Sequence, residues 1–433
     1  MSGAGNRSPP NWPESSQQRV PQQRALSFSP GLHQSSAARD DVIKGTDDDA
    51  IISKLSAVDL GYLDDPFVKY FVKRPSRRPP LINRGSYLRT VSLDAMMEQF
   101  IKSTIEGPLK DTNASTTNAS TVAASTATVP STPSPTAPAI NRQIVSLGCG
   151  SDTRYFKFKT KGLSVYKYFE IDFQESTAKK AAVIKKNKSF TDIIGDPDLK
   201  LGKEQRFFTW ESIRSMNPKT NDCTHSGPNA MNAGQGGTEL YSKDYCLLSG
   251  DLREFEHSIV PKLKAQGFDT SLPTLFLSEC VLIYLQPKDS DAIVDWVGNN
   301  MDASLFVVYE QINPTDPFGA MMLRNLKARQ IELPGIHAYP SLKSQEERFL
   351  ARGWLAAKAV NMNTLHNSLP DDDMKRISSL EIFDEIEEWQ LLADHYCVAW
   401  AYHAKALSQP DMEHRREQLI TLLFNSVRFT DRK

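Results

Sequence analysis

A glycine turn and an acidic residue downstream of it form the first group in this sequence whose spacing indicates chemistry. Gly148 and Gly150 follow an apolar run, and Asp172 stands at the end of the next one. Glycine lets the backbone come close to a ligand where a Cβ would clash. The later carboxylate can accept hydrogen bonds from both hydroxyls of a ribose. A lone Gly-x-Gly is also typical of an ordinary tight turn, but its pairing with Asp172 favours a nucleoside site.

The residues around this turn discriminate between nucleoside ligands. A dinucleotide site needs a third glycine so that the next helix can aim its N-terminus at a pyrophosphate, and Thr153 stands there instead. A nicotinamide cofactor is therefore disfavoured. S-adenosylmethionine has no phosphate, and it needs a ribose acceptor, further acids and a cation for its carboxylate. Asp172 suits the ribose, Asp251 is a further acid, and Arg84 or Arg89 suits the carboxylate.

Glu279 is the most informative single residue, because it interrupts an otherwise apolar stretch. A carboxylate there must find a partner or a ligand, and the alternative to a ligand is a buried ion pair with a structural arginine. No general base stands out nearby. Cys149 and Cys280 have no histidine close in sequence and are expected to be small buried hydrophobes. The scattered histidines predict no metal site.

The hydrophobic pattern predicts the elements that must position these residues. Short β-branched and aromatic runs alternate with helical patterns, which indicates an α/β fold with a mostly parallel sheet and flanking helices. Polar residues after parallel strands meet in one crevice. Helices at 48–72 and 87–105 predict an N-terminal cap, and two late runs predict a C-terminal antiparallel edge. The predicted strands are Ile144–Leu147, Tyr168–Ile171, Tyr245–Leu248, Thr274–Leu277, Leu305–Tyr309, Leu355–Val360 and Tyr396–Tyr402.

Composition divides the chain of 433 residues into a tail and a folded part. Residues 1–40 cannot bury enough apolar surface to offset ordering, and they are predicted to be a disordered tail. Residues 41–433 are predicted to form a single domain with low-complexity insertions at about 111–139 and 217–237. Such insertions are tolerated because the entropy of loop closure grows only slowly with length.

Charge, hydropathy and cysteine usage exclude several classes of protein. With 51 basic and 52 acidic residues, the formal net charge of -1 predicts no affinity for nucleic acid or anionic membranes. The longest apolar run, Leu272–Leu285, is shorter than the ~20 residues of a membrane span, and no signal peptide is recognisable. Five widely spread cysteines predict reduced thiols. We expect a cytoplasmic protein that also enters the nucleus.

Six sequence blocks, in order along the chain, resemble the leucine carboxyl methyltransferases. The resemblance spans roughly residues 47–404 and implies a class I methyltransferase (Rossmann-like) fold that uses S-adenosylmethionine and releases S-adenosylhomocysteine. It also implies a substrate, the C-terminal leucine carboxylate of the type 2A protein phosphatase catalytic subunit, whose methylation regulates holoenzyme assembly. The blocks are INRGSYLR (82–89), IVSLGCGSDTR (144–154), YFEIDF (168–173), GDLR (250–253), SECVLIY (278–284) and YEQIN (309–313).

Carried over by position, the resemblance implies seven cofactor-binding residues. Two contact the amino-acid end of the cofactor, one supplies backbone at the glycine turn, one holds the ribose, two flank the adenine and one lies near the methionine portion. In that order they are Lys54 and Arg89, Gly148, Asp172, Asp251 and Leu252, and Glu279. Apart from the resemblance, Lys54 has the pattern of a solvated helix lysine.

A carboxylate substrate explains why no catalytic acid or base is expected. With a pKa near ~3.5, a terminal carboxylate is already ionised at neutral pH. Catalysis then depends on holding its oxygen in line with the methyl group and on removing water from both ions. Arg253 and Tyr284, each just beyond a strand end, are the candidates that orient the substrate. The alternatives are a helix-surface residue for Arg253 and a core residue for Tyr284.

Two other functions remain open on the sequence. A related branch of the family modifies a hypermodified guanosine in transfer RNA (a wybutosine-type carboxyl methylation) and typically carries a long β-propeller extension. The balanced charge and a chain that ends at Lys433 favour the phosphatase branch. A catalytically silent scaffold that binds the phosphatase is the other alternative, and cofactor binding would exclude it. We expect the protein to act as a monomer.

Overall fold

Eight strands form one sheet at the centre of the protein, as seen in a computed structural model that describes residues 36–103, 141–195 and 237–405. The strand order is β3-β4-β2-β1-β5-β6-β8-β7. Strands β4, β2, β1, β5 and β6 are mutually parallel, whereas β3 and β8 run antiparallel to their neighbours. The strands are β1 (Gln143–Leu147), β2 (Lys167–Asp172), β3 (Leu240–Tyr241), β4 (Tyr245–Ser249), β5 (Thr274–Glu279), β6 (Ala303–Gln311), β7 (Ala356–Asn361) and β8 (Tyr396–Ala404).

The strand residues alternate between two hydrophobic cores, one on each face of the sheet. Ile144 and Leu275 belong to the core that the N-terminal helices cover, whereas Val145 and Phe276 belong to the opposite core. Successive side chains of a strand point to opposite faces, so a strand covered on both sides reads as a continuous apolar run. This is why all seven predicted strands are confirmed, with ends that shift by one or two residues. The two-residue strand β3 was not predicted.

Twelve α-helices flank the sheet or cap it within the described ranges. They are α1 (Ser36–Asp59), α2 (Pro80–Lys102), α3 (Arg154–Thr160), α4 (Gln174–Lys186), α5 (Lys188–Ile194), α6 (Val260–Ala265), α7 (Pro287–Asn300), α8 (Pro317–Ala328), α9 (Leu342–Leu350), α10 (Met362–Asn367), α11 (Asp371–Ser378) and α12 (Ile386–Asp394). Short 3₁₀ turns span Val68–Tyr70, Leu252–Glu254, Leu282–Tyr284 and Pro334–His337, and a π turn spans Phe255–Ile259.

Local sequence determines where several of these helices begin. Proline starts α2, where its missing N–H is no loss and its fixed φ already suits a helix. The side chain of Asp316 caps α8 by accepting a hydrogen bond from the backbone N–H of Gly319. Ser341 and Ser344 bond reciprocally at the start of α9. These caps satisfy backbone donors that the first helical turn leaves unpaired.

The N-terminal cap differs in its boundaries from the prediction. Helix α1 begins at Ser36, inside the predicted tail of residues 1–40, and it ends at Asp59 rather than near residue 72. Helix α2 begins at Pro80, earlier than the predicted start at residue 87. The prediction started late because the polar residues in the first turns of this helix give a weak helical pattern. Residues 1–35 lie outside the described residues, as do both predicted insertions apart from Gly237.

The sheet reverses its winding between β1 and β5, and this point defines the ligand crevice. From β1 the chain continues to β2 and β4 on one side, whereas β5 and β6 lie on the other. In open α/β sheets the crevice at such a reversal, beyond the carboxyl ends of the strands, binds the ligand. Helices α1 and α2 lie across this edge. The predicted C-terminal antiparallel edge is confirmed, since β7 and β8 pair antiparallel.

Candidate functional site

One large cavity of about 570 Å³ opens at the carboxyl ends of the parallel strands. Residues from α1, α2, the turns after β1, β2, β4 and β5, and the late helix α12 line it. All nine site residues predicted from the sequence lie in its wall. They are Lys54, Arg89, Gly148, Asp172, Asp251, Leu252, Arg253, Glu279 and Tyr284.

The glycine turn after β1 has a backbone that only glycine tolerates. Gly148 has a φ of 62°, which lies in the left-handed region that side chains disfavour. A Cβ there would lie 2.6 Å from Cγ2 of Val281 in the turn after β5. The two turns therefore meet closely at the winding reversal, and the backbone of the turn after β1 faces the cavity. The predicted close approach of this backbone to a ligand stays a prediction, since the close neighbour shown here is Val281.

Asp172 ends β2 and binds the glycine turn through its carboxylate. Oδ2 accepts the backbone N–H of Gly150 at 2.7 Å, and Oδ1 accepts that of Phe173 at 2.7 Å. Burial raises the pKa of Asp172 above its ordinary value, and the two backbone donors oppose the rise. Each carboxylate oxygen has two lone pairs, so the group retains capacity to accept ribose hydroxyls.

Glu279 lies between two arginines at the end of β5. Its Oε1 accepts from Nε of Arg89 at 2.5 Å, and its Oε2 accepts from Nη1 of Arg154 at 2.6 Å. Arg154 also bonds Asp94 at 2.7 Å and Asp152 at 3.0 Å. We call Arg154, Glu279, Asp94 and Asp152 the buried cluster. Burial alone would raise the pKa of Glu279, but the charges of Arg154 and Arg89 outweigh it and hold the pKa below its usual range.

The buried cluster confirms the ion-pair alternative for Glu279, and its place near the methionine portion of the cofactor stays a prediction. The carboxylate forms the ion pair with a structural arginine, Arg154, and it also lines the cavity. Arg89 is the arginine of its motif that reaches the cavity. Arg84, five residues earlier, instead lies over the ring of Phe383 at 4.0 Å. Residues five apart do not share a helix face, which explains why only one of the two points inwards.

Lys54 and Thr153 meet beneath the glycine turn. The Lys54 ammonium donates to Oδ2 of Asp65 at 2.9 Å and to Oγ1 of Thr153 at 2.9 Å, while the Thr153 hydroxyl donates to Asp65 at 2.6 Å. The threonine that replaces a third glycine therefore joins an ion pair with the N-terminal cap. Lys54 is half-buried in the cavity wall and is not the solvated lysine that its local pattern indicates.

A second group of charges lies at the cavity rim after β4. Both oxygens of Asp251 accept from Nε of Arg253 at 2.9 Å, and Oδ2 also accepts from Nη2 at 2.6 Å. The same guanidinium bonds Asp40 of α1. We call Arg253, Asp251 and Asp40 the rim cluster. Arg253 was predicted to orient the substrate carboxylate; its guanidinium bonds these two acids, and the contact with the substrate stays a prediction.

Leu252 and Tyr284 complete the predicted wall. Leu252 is buried under the rim cluster in the 3₁₀ turn after β4. Tyr284 is half-buried in the 3₁₀ turn after β5, where burial raises the pKa of its hydroxyl. That raised pKa disfavours the phenolate, so the hydroxyl is protonated at neutral pH and has a proton to donate. Its predicted part in orienting the substrate stays a prediction.

Sequence reasoning missed two residues that shape the site. Asp47 of α1 accepts both the backbone N–H and the hydroxyl of Ser151, at 2.9 and 2.6 Å. It belongs to a run of three aspartates on an exposed helix, which gives no signal of a role. Arg154 closes the quoted glycine motif and was read only as part of it. An arginine two residues after acidic Asp152 was the available signal.

The far side of the cavity is apolar. Trp389 and Leu392 of α12, Met362 of α10 and Ile82 of α2 line it, together with Tyr396 at the start of β8. These residues come from the C-terminal part of the chain and from the cap. An aliphatic group placed there would be removed from water next to Arg89 of α2.

The fold and the site define a class I methyltransferase that depends on S-adenosylmethionine. The strand order, the glycine turn at the winding reversal and the acid that ends β2 suit its adenosine, and the charged end of the cavity suits its amino-acid group. The family model "Leucine carboxyl methyltransferase" matches residues 43–298. The chain belongs to the leucine carboxyl methyltransferase family.

Individual relatives agree with this family. The chain is 36% identical to Leucine carboxyl methyltransferase 1 homolog of Arabidopsis thaliana over 83% of its own length and 88% of that protein. It is 32% identical to Leucine carboxyl methyltransferase 1 of Rattus norvegicus over 84% of its length and 90% of that protein. It is also 32% identical to human tRNA wybutosine-synthesizing protein 4, but it spans only 45% of that relative. No described helix combines the length and the apolar character that crossing a membrane requires.

Proposed function

We propose that the protein transfers a methyl group from S-adenosylmethionine to the α-carboxylate of the C-terminal leucine of the type 2A protein phosphatase catalytic subunit. The proposal extends the family's chemistry to one substrate and one partner. The protein acts as a monomer, and that phosphatase subunit is its partner. It is located in the cytoplasm and also in the nucleus. The sequence blocks, the chemistry of the cavity wall and its apolar side support this assignment.

The observation that carries the proposal is that no histidine, cysteine or tyrosine of the described cavity wall is suited to act as a general base at neutral pH. No histidine is among the described residues that line it. Burial raises the pKa of the Cys280 thiol to about 12 and raises the pKa values of Tyr284, Tyr309 and Tyr396. An alcohol or amine substrate needs its proton removed, whereas a terminal carboxylate with a pKa near ~3.5 is already a nucleophile at pH 7.

The apolar side of the cavity supports an aliphatic C-terminal residue. Trp389, Met362 and Leu392 form a surface that excludes water beside the charged side, where Arg89 lies. A leucine side chain buried there gains roughly 1.5–3 kcal/mol from the hydrophobic effect. A polar or charged terminal residue would lose that gain and leave its own polar atoms unsatisfied. The cavity therefore favours a substrate that ends in a large aliphatic residue.

The chain's own residues contribute orientation and desolvation. When bound, S-adenosylmethionine supplies an electrophilic methyl group on a sulfonium. Asp172 and the backbone of the glycine turn hold the adenosine, and Arg89, fixed by Glu279, holds carboxylate groups by charge-assisted hydrogen bonds. The apolar wall and the helical cap exclude water, which strengthens the attraction between the reacting ions.

Transfer of a labelled methyl group tests this proposal. Purified protein and labelled S-adenosylmethionine are incubated with the phosphatase catalytic subunit, and with the same subunit lacking its terminal leucine. Label on the intact subunit alone is expected, and it must be released by mild base as a methyl ester is. Absence of label on the intact subunit, with the cofactor bound, would contradict the proposal and favour a silent scaffold.

A second candidate rests on the similarity to tRNA wybutosine-synthesizing protein 4. It is disfavoured because the chain's net charge of -1 provides no general attraction to RNA. The same assay with transfer RNA carrying the unmethylated carboxylate precursor as acceptor separates the two. Label in the RNA and none in the phosphatase would replace the phosphatase proposal with this one.

A further inference from the structure

Arg253 connects two parts of the protein that lie far apart in sequence. Its guanidinium donates to Asp40 of α1 through Nη1 at 3.2 Å and Nη2 at 2.7 Å, while it holds Asp251 after β4 through Nε and Nη2. It also lies 6.0 Å from the ring centre of Phe173, which follows Asp172 and lines the cavity. One side chain thus joins the cap, the end of β2 and the end of β4 at the cavity rim.

The first half of α1 depends on such polar contacts for its position. None of the residues from Ala37 to Ala50 is buried, and the buried apolar residues of this helix begin at Ile51. Before that point Lys44 pairs with Glu175 at 3.3 Å, and Asp47 bonds Ser151. A helical segment with so little buried apolar surface opens locally at small cost. Ion pairs at the rim, together with the packing of half-buried Val42 on the apolar cluster around Ile283, hold it across the cavity.

We propose that Arg253 is a positioning residue for the cofactor: it orients the Asp251 carboxylate toward the adenine and fastens the first half of α1 over the cavity. In this role it does not touch the substrate carboxylate. Arginine suits the task because its planar fork binds two carboxylates at once, which a lysine ammonium cannot reproduce. The inference rests on the methyltransferase site itself and does not depend on the phosphatase as substrate.

A double-mutant cycle on cofactor affinity tests the connection. The variants are Arg253→Gln, Asp40→Asn and the pair together, with Arg74→Gln as a control that removes an exposed arginine outside the cavity wall. Calorimetry with S-adenosylhomocysteine measures the dissociation constant without any protein substrate. We expect the dissociation constant to rise about fivefold for Arg253→Gln and about threefold for Asp40→Asn. The pair should also show about fivefold, because the second substitution removes no further interaction. Arg253→Lys should recover part of the loss.

Two further measurements distinguish positioning from other roles. Hydrogen exchange of the cofactor-free protein should show amides of residues 36–49 exchanging at least fivefold faster in Arg253→Gln, with the strands unchanged. Steady-state kinetics should show a raised KM for S-adenosylmethionine and an unchanged kcat. An unaltered cofactor dissociation constant with a raised KM for the protein substrate would overturn the proposal, as would fully multiplicative effects of the two substitutions. Failure of phosphatase methylation would leave the binding and exchange results intact.

Discussion

The buried cluster and the rim cluster use the same chemistry at opposite ends of one cavity. Each has an arginine that joins carboxylates from separate elements, including one on the N-terminal cap. They differ in solvent exposure: the Arg154 side chain is 3% exposed and that of Arg253 is 36% exposed. The first joins β5 and the glycine turn to α2, whereas the second joins the β4 turn to the loosely packed start of α1.

This difference in exposure predicts different contributions of the two clusters to folding stability. A buried charge that loses its partner has no water to replace it, so every member of the buried cluster depends on the others. An exposed pair is screened by solvent and contributes little to folding stability. We therefore expect substitutions in the buried cluster to act mainly on folding stability and those in the rim cluster mainly on cofactor binding.

The largest expected effect comes from removing Arg154. Arg154→Met leaves the carboxylates of Glu279, Asp94 and Asp152 without their shared cation, and it should lower the free energy of unfolding by about 3–5 kcal/mol. Arg154→Lys, which keeps the charge but cannot reach all three acids, should fall between this variant and wild type. Urea denaturation measures both. Arg253→Gln is the matched control, and it should lower the free energy of unfolding by under about 1 kcal/mol. Equal losses of stability at the two positions would contradict the difference between the buried and rim clusters.

Acid unfolding should distinguish the clusters next. The pKa values of Glu279 and Asp94 in the folded protein lie below their ordinary values, because the cations nearby outweigh the effect of burial. Their contribution to stability is therefore complete above the unfolded values of about 4 and is lost as pH falls through the lowered folded values. Unfolding free energies measured from pH 7 to 3 should fall less steeply for Arg154→Lys than for wild type. Arg253→Gln should keep the wild-type dependence of unfolding free energy on pH. A weaker dependence in this variant would be evidence that the rim cluster also contributes to acid stability.

Asp172, which accepts backbone N–H groups from Gly150 of the glycine turn and from Phe173, should affect binding rather than folding. Asp172→Ala is expected to raise the cofactor dissociation constant at least tenfold, equivalent to about 1.4 kcal/mol. Calorimetry measures this change. Asp192→Ala, which removes an exposed carboxylate paired with Lys188, is the control. A change under twofold for Asp172→Ala would refute the ribose assignment.

The smallest expected effect is the salt dependence of cofactor binding. At about 0.5 M salt the Debye length is roughly 4–5 Å, so interactions between exposed charges are screened far more than those between buried charges. Wild-type affinity should fall about twofold more between 0.05 and 0.5 M salt than that of Arg253→Gln, in which the rim pair is already absent. Equal salt dependence in the two proteins would show that the rim cluster does not contribute to binding.

Much of the fold followed from local pattern. Strands such as β1 and β5 are apolar on both faces, so the sequence predicted them as apolar runs, with ends correct to one or two residues. The start of α1 was not, because residues 36–50 lack a buried apolar stripe and resemble the tail before them. Their order depends on ion pairs with residues more than a hundred positions away, such as Arg253. Periodicity does not report contacts of that kind.

Placement in the cavity was predictable for the site residues, but their partners were not. Position at a strand end sufficed to bring Asp172, Asp251 and Glu279 to one crevice. The cations that Glu279 would meet depended on Arg89 of the cap and Arg154 of α3, which lie more than a hundred positions earlier. Arg253 illustrates the limit, since its position indicated a substrate contact and its neighbours Asp251 and Asp40 take up its donors.

The amino-acid sequence by itself determined the positions of the strands, the glycine turn and the acids that end the strands, because these depend on local periodicity and backbone chemistry. It also carried the family blocks. Only the tertiary structure decided that Arg154 would be buried among three carboxylates and that Arg253 would lie at a solvent-exposed rim. The physical reason is that the strength of an ion pair depends on its distance from water, and that distance exists only after the chain has folded.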